Sequence, residues 1–117
     1  MKLCYSIEKK HAGKFISFLV LGLLHSVDKK IISIDEAEGF IFMPDVYDLL
    51  KKIKAPNELV NIIELGCELD GVAALIPHRL QANINELIEK TLSVIKNSEE
   101  IGIAVEKEIK IVGKGRR

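Results

Sequence analysis

The chain has 117 residues, 17 Lys plus Arg against 17 Asp plus Glu, and 48% hydrophobic residues. That length suits one domain able to bury a core without disulfide or metal staples, and the balanced charge supplies no global field to draw nucleic acid, anionic lipid or an acidic substrate. Neither half hides a basic module, with 9 basic and 7 acidic residues in 1–54 and 8 and 10 in 55–117.

Leu3, Tyr5 and Ile7 alternate with Lys2, Cys4 and Ser6, the period of two that sets one face of a strand on a core. Residues 15–24, FISFLVLGLL, then carry a single hydroxyl and no charge. Crossing a bilayer takes about 20 apolar residues, and the run lacks the charged start and small-residue cleavage site of a secretory signal. It therefore reads as a helix over residues 11–27, apolar on nearly every side and wrapped by the rest of the fold. Ser33-Ile34-Asp35-Glu36 matches the S-x-x-E capping box, which starts a short helix running through Phe40. Met43-Pro44 interrupts it, since proline disfavours helical geometry at the preceding residue and suits the first turn of a new helix, here residues 45–53.

Ala55-Pro56 repeats the device and opens a helix whose Leu59, Ile62, Ile63 and Gly66 share one face, with Asp70-Gly71 as its stop. Residues 72–76 read as a short apolar link. Pro77 starts a long amphipathic helix, with Leu80, Ile84, Leu87, Thr91, Val94 and Ile95 inside and Glu86, Glu89, Lys90 and Lys96 outside. Beyond Asn97-Ser98, Ile101, Ile103, Val105, Ile109 and Ile111 alternate and are β-branched, the pattern of a strand. A helix through Ile101, Val105, Ile109 and Val112 is the alternative, and Gly102 counts against it. The expected fold is α+β and predominantly α: a compact bundle of about five helices around a buried central helix, with short strands at the two ends pairing in a small antiparallel sheet. Residues 1–112 form a single globular domain and residues 113–117 a disordered basic tail.

Chemistry is harder to find. The phosphate-binding glycine loops, the H-E-x-x-H zinc motif and C-x-x-C are all missing from the sequence. Cys4 and Cys67 lack metal or redox spacing and read as reduced thiols of a cytoplasmic protein, while His11, His25 and His78 fall on three separate elements. No catalytic, cofactor-binding or metal-ligating residue is assigned, and no cofactor is expected. Two carboxylate groups stand out. Asp35, Glu36 and Glu38 sit in the first turn of a helix, where negative charge complements the dipole. Glu64, Glu68 and Asp70 are more suggestive, because Glu64 and Glu68 are i,i+4 neighbours whose repulsion costs about 0.2–0.5 kcal/mol and a basic partner would relieve it. Lys51, Lys52 and Lys54 end a helix favourably for its dipole, and with Lys29, Lys30 and the tail they offer phosphate contacts but no interleaved aromatics.

Gly22-Leu23-Leu24-His25-Ser26, Ile32-Ser33-Ile34-Asp35-Glu36-Ala37-Glu38 and Phe42-Met43-Pro44 resemble short bacterial proteins grouped as the domain of unknown function 3969 family. Ile63-Glu64-Leu65-Gly66, Glu68-Leu69 and Leu75-Ile76-Pro77 are similar as well. The resemblance implies a small cytoplasmic bacterial protein with no settled activity and supplies no catalytic residue. The leading expectation is thus a non-enzymatic protein interaction module of immunity, inhibitor or adaptor type, contacting a protein partner through Glu64, Glu68 and Asp70. The alternative is a small helix-turn-helix DNA-binding regulator using Lys51, Lys52, Lys54 and the tail. A homodimer through the C-terminal strands is a third expectation; a membrane role is not expected.

Overall fold

A computed structural model of the protein describes residues 1–113. The elements run β1 (Lys2–Ile7), α1 (Lys9–Asp28), α2 (Ile34–Phe40), α3 (Pro44–Lys52), α4 (Asn57–Gly66), α5 (Leu69–Leu75), a 3-10 turn (Pro77–Arg79), α6 (Leu80–Asn97) and β2 (Lys107–Val112). The chain is predominantly helical with a small two-stranded antiparallel sheet. The expected count of about five helices is corrected: four described helices have nine residues or more, and two, α2 and α5, have seven. The extra helix arises where an apolar link was expected. The hydroxyl-free stretch 69–75 buries Leu69 and closes into a helix of its own, so Asp70-Gly71 lies inside α5 and α4 stops earlier, at Gly66.

The breaks act as their chemistry requires. The Ser33 side chain accepts from the Glu36 amide at 3.0 Å and caps α2, satisfying a donor that the first turn cannot pair. Pro44 occupies the first turn of α3, and Pro56 sits immediately before α4. α3 and α1 both end in the same way. The amides of Lys54 and Ala55 bond the carbonyls of Lys51 and Leu50, and those of Lys30 and Ile31 bond Val27 and Ser26. This double bond pattern is the Schellman stop, which puts one residue in the left-handed region; here Lys30 (φ 60°) and Lys54 (φ 59°) take that place instead of glycine.

The core is formed by Val20, Leu24, Leu50, Leu59, Ile62, Ile63, Leu69, Ile84, Leu87 and Val94 with their neighbours. α1 and α6 lie antiparallel, since Lys14 Nζ reaches the Glu99 carbonyl at one end and Gln81 Nε2 reaches Asp28 Oδ1 at the other. The face of α4 expected inside, Leu59, Ile62, Ile63 and Gly66, is buried in full. Most of the expected inner face of α6 is buried too, namely Ile84, Leu87, Thr91 and Val94. α1 departs from expectation. It buries one stripe, His11, Gly13, Ser17, Val20, Leu24 and Val27, while Phe18 and Leu19 are nearly half exposed. The helix is therefore a wall of the bundle and not a pillar wrapped on every side. Two buried hydroxyls are satisfied locally, Ser17 by the Gly13 carbonyl at 2.9 Å and Thr91 by the Leu87 carbonyl at 2.7 Å. His11, 5% exposed, has no side-chain hydrogen bond among the described residues.

β1 and β2 pair with Leu3 opposite Ile111 and Tyr5 opposite Ile109. The expected pairing of the chain ends is present, but Leu3, Ile109 and Ile111 stay exposed and the strand face does not cover the core. Tyr5 reaches the bundle, stacked on Phe15 of α1 at 4.4 Å between ring centroids, and Cys4 and Ile7 are half-buried. Ile101, Ile103 and Val105 precede β2 in irregular and turn structure and are not part of the strand. Gly113 is exposed, and the rest of the expected tail, residues 114–117, lies outside the described residues. No described helix is long and apolar enough to cross a membrane.

Candidate functional site

The two carboxylate groups that sequence spacing separates are brought together by the packing of α2 on α5. Asp35, Glu38 and Asp70 lie with carboxylate oxygens within 4.8 Å of one another. Buried Ala37 on α2 and buried Leu69 on α5 belong to the same core, so the polar residues beside them emerge on a shared rim. Glu64 ends α4 and Glu68 precedes α5, both exposed, on either side of half-buried Cys67. The result is one acidic face built from α2, the α4–α5 junction and the first turn of α5.

The electrostatics of that face are unfavourable in the isolated chain. Partial burial pushes the Glu38 carboxyl above its ordinary value, and the charges of Asp70 and Asp35 push it further. Burial also raises the Cys67 thiol, with Glu38, Glu68 and Glu64 adding to the effect, so this cysteine is a protonated, weakly nucleophilic thiol at neutral pH. Glu64 stands at the C-terminal end of α4, where the helix dipole disfavours negative charge. None of the described salt bridges involves Asp35, Glu38, Glu64, Glu68 or Asp70. An all-oxygen set such as Asp35, Glu38 and Asp70 is the donor chemistry that hard divalent cations prefer.

Beside the carboxylates is a hollow of about 270 Å³ lined by Pro44, Tyr47, Glu64, Cys67 and Glu68. Its floor is apolar and its rim anionic. The ammonium of Lys51 sits 5.3 Å from the centroid of the Tyr47 ring, within the range of a cation–π contact.

The structure thus joins Glu64 and Glu68 at one hollow, sets Asp70 beside Glu38 and Asp35, and adds Tyr47 and Pro44. Sequence reading missed Glu38 as a partner of Asp70 because its capping position explained it fully. Lys51 and Lys52 close α3, but α4, the helix after that turn, exposes Glu58 and Glu64.

A family model described as "Protein of unknown function (DUF3969)" matches residues 7–110. No curated protein matches the chain, and no solved structure does.

Proposed function

From the premise that the chain belongs to the DUF3969 family of unknown function, we propose that it is a binding module, without a catalytic role, that receives a basic side chain of a protein partner on its acidic face. The observation that carries this reading is the hollow at Tyr47 and Cys67 with Glu64 and Glu68 on its rim. Lys and Arg side chains bury an aliphatic stem while keeping the charged head solvated or paired, and the hollow offers an apolar wall for the stem and two carboxylates for the head. Glu38, Asp35 and Asp70 extend the negative field and would speed encounter with such a partner. Binding would also remove the repulsion that the free chain carries there.

The test is capture of the partner from the native host with the intact chain, followed by affinity measurement with Glu64→Lys/Glu68→Lys. A partner bound by the original chain and lost on charge reversal, with Lys29→Glu as an unaffected control, supports the proposal. Failure to capture any partner, or equal affinity after reversal, overturns it.

Self-association through β2 is a second reading with its own observation. The outer edge of β2 is unpaired in the two-stranded sheet, and a two-fold axis through Ile109 would set Glu108 opposite Lys110 of a second copy, twice, with Ile109 opposite itself. Such cross-strand charge pairs favour one register. Light scattering at two concentrations tests it, and a constant monomer mass eliminates it.

A further inference from the structure

A second site lies at the opposite end of α4 from the acidic face. The first turn of α1 and the link before α4 enclose a groove of about 620 Å³. Gly13 permits this approach, because a Cβ there would come within 2.9 Å of Pro56 Cδ. Four lysines line the groove: Lys9, Lys10 and Lys14 from α1, and Lys54 from the α3 stop. His11 lines it as well, though 95% of its surface is removed from solvent.

Three features of this end of α1 run against ordinary helix chemistry. Its N-terminus has no side-chain cap and no acidic residue in its first turn, where a 20-residue helix presents partial positive charge and unpaired amides. The residue placed to cap it, Glu8, instead accepts from the Glu106 amide at 2.9 Å. Lysines occupy positions that favour carboxylates. The opposing charge is Glu99, whose carboxylate is 3.6 Å from Lys10 Nζ in an exposed pair and whose carbonyl accepts from Lys14 Nζ at 3.1 Å. The carbonyl end of α6 also reaches the groove at Asn97 and Ser98, and Lys9 and Lys54 have no ion pair among the described residues.

His11 is the independent observation. A buried imidazole without a partner forfeits hydrogen bonds that are expensive to lose, while Ser17 and Thr91 nearby in the same core are both satisfied. His11 lines the groove, and its ring carries a donor that no described side-chain hydrogen bond uses.

We propose that this groove binds a small phosphate-bearing anion, the phosphate held by the amides at the start of α1, the His11 ring and the ammonium groups of Lys10 and Lys54. Backbone amides at a helix N-terminus with lysines around them are a recurrent phosphate cradle, and the volume suits a small organic phosphate. A concave pocket carrying Glu99 suits such a molecule better than the continuous charge of a duplex.

The test is titration of the full chain, followed by amide and imidazole NMR shifts, with inorganic phosphate and with adenosine 5′-monophosphate, each against chloride at equal ionic strength. Saturable shifts at Lys9, Lys10 and the His11 ring are expected, and Lys10→Gln/Lys54→Gln should weaken binding by roughly tenfold or more. Tighter binding of the monophosphate identifies an organic phosphate as occupant, and tighter binding of inorganic phosphate identifies the free ion. Three results overturn the proposal: shifts no larger than those from chloride, unchanged affinity in the double variant, or a mixed-sequence DNA duplex that binds more tightly than either probe with a steep salt dependence. Both lysines are exposed, so the variants keep the fold.

Discussion

Gly66 faces the ring of Phe42 with no side chain between them: a Cβ at residue 66 would lie 2.5 Å from Cε1 and 2.8 Å from Cγ. Phe42 follows α2 and precedes α3, while Gly66 ends α4, so this contact sets the distance between the two acidic segments. Gly66→Ala should destabilise the protein by about 1–3 kcal/mol, the range for forcing a methyl into a packed interior. Urea unfolding measures it. In a Phe42→Leu background, where the ring is gone, the same substitution should cost much less; equal cost in both backgrounds would refute the contact as the cause.

Glu38→Gln should stabilise the protein at neutral pH. The folded state holds the Glu38 proton more tightly than the unfolded chain does, because burial and the neighbouring Asp70 and Asp35 charges disfavour the carboxylate. Below the ordinary value of 4.5 both states are protonated and no penalty exists. As pH rises past that value the unfolded chain ionises first, stability falls, and the loss is complete above the raised folded value. The variant should therefore gain about 0.5 kcal/mol at pH 7, the scale of like-charge neighbours, and nothing near pH 3.5. Thermal melts at the two pH values decide it, and a gain independent of pH would point to packing instead of charge.

Several helix starts were legible where a cap or a proline sets them, whereas Asp70-Gly71, read as a stop, lies inside α5. Ser33, Pro44 and Pro56 each start a helix where their backbone chemistry predicts, and the buried face of α4 follows its 3.6-residue period. What escaped was tertiary. Nothing local tells that Phe18 and Leu19 lack a covering element, or that α5 brings Asp70 to Glu38. The acidic face was half visible, as Glu64, Glu68 and Asp70, because like charges at helical spacing are themselves an unfavourable local pattern. The basic groove was not, since Lys54 is 40 residues or more from Lys9, Lys10 and Lys14, and a buried histidine looks like any other in a string of letters. The absence of an acidic residue after Glu8 was the one sequence signal that could have drawn attention to it.

Lys30→Gly should stabilise the protein despite removing a side chain. Lys30 holds φ near 60° to complete the stop of α1, a conformation that costs a residue with a Cβ roughly 1–2 kcal/mol and glycine little. Part of that gain returns as greater freedom of the unfolded chain. The net expectation is about 0.5–1 kcal/mol of added stability by denaturant unfolding. Lys54→Gly relieves the same strain at the stop of α3 but also deletes a groove cation, so it should raise stability while weakening phosphate binding. A loss of stability in both variants would show that the lysine stems contribute packing that outweighs the strain.

The β1–β2 ribbon should open far more often than the bundle. Two-stranded sheets are marginal in water, all six residues of β2 are exposed, and the radius of gyration of 15.4 Å exceeds the roughly 13 Å of a compact chain of this length, as a projecting arm requires. Its ties to the rest include the Tyr5–Phe15 stack and the reciprocal bonds between Glu8 and the Glu106 backbone. Hydrogen exchange should find the amides of β1 and β2 orders of magnitude less protected than those of Ile62 and Ile88, which sit in the core. Because an aromatic pair contributes about 0.5–1.5 kcal/mol, Tyr5→Ala should reduce ribbon protection by a further threefold to tenfold or so while leaving the core amides unchanged. If the ribbon and the core exchanged together, the sheet would be part of the cooperative bundle and its exposed apolar face would have to be covered in solution.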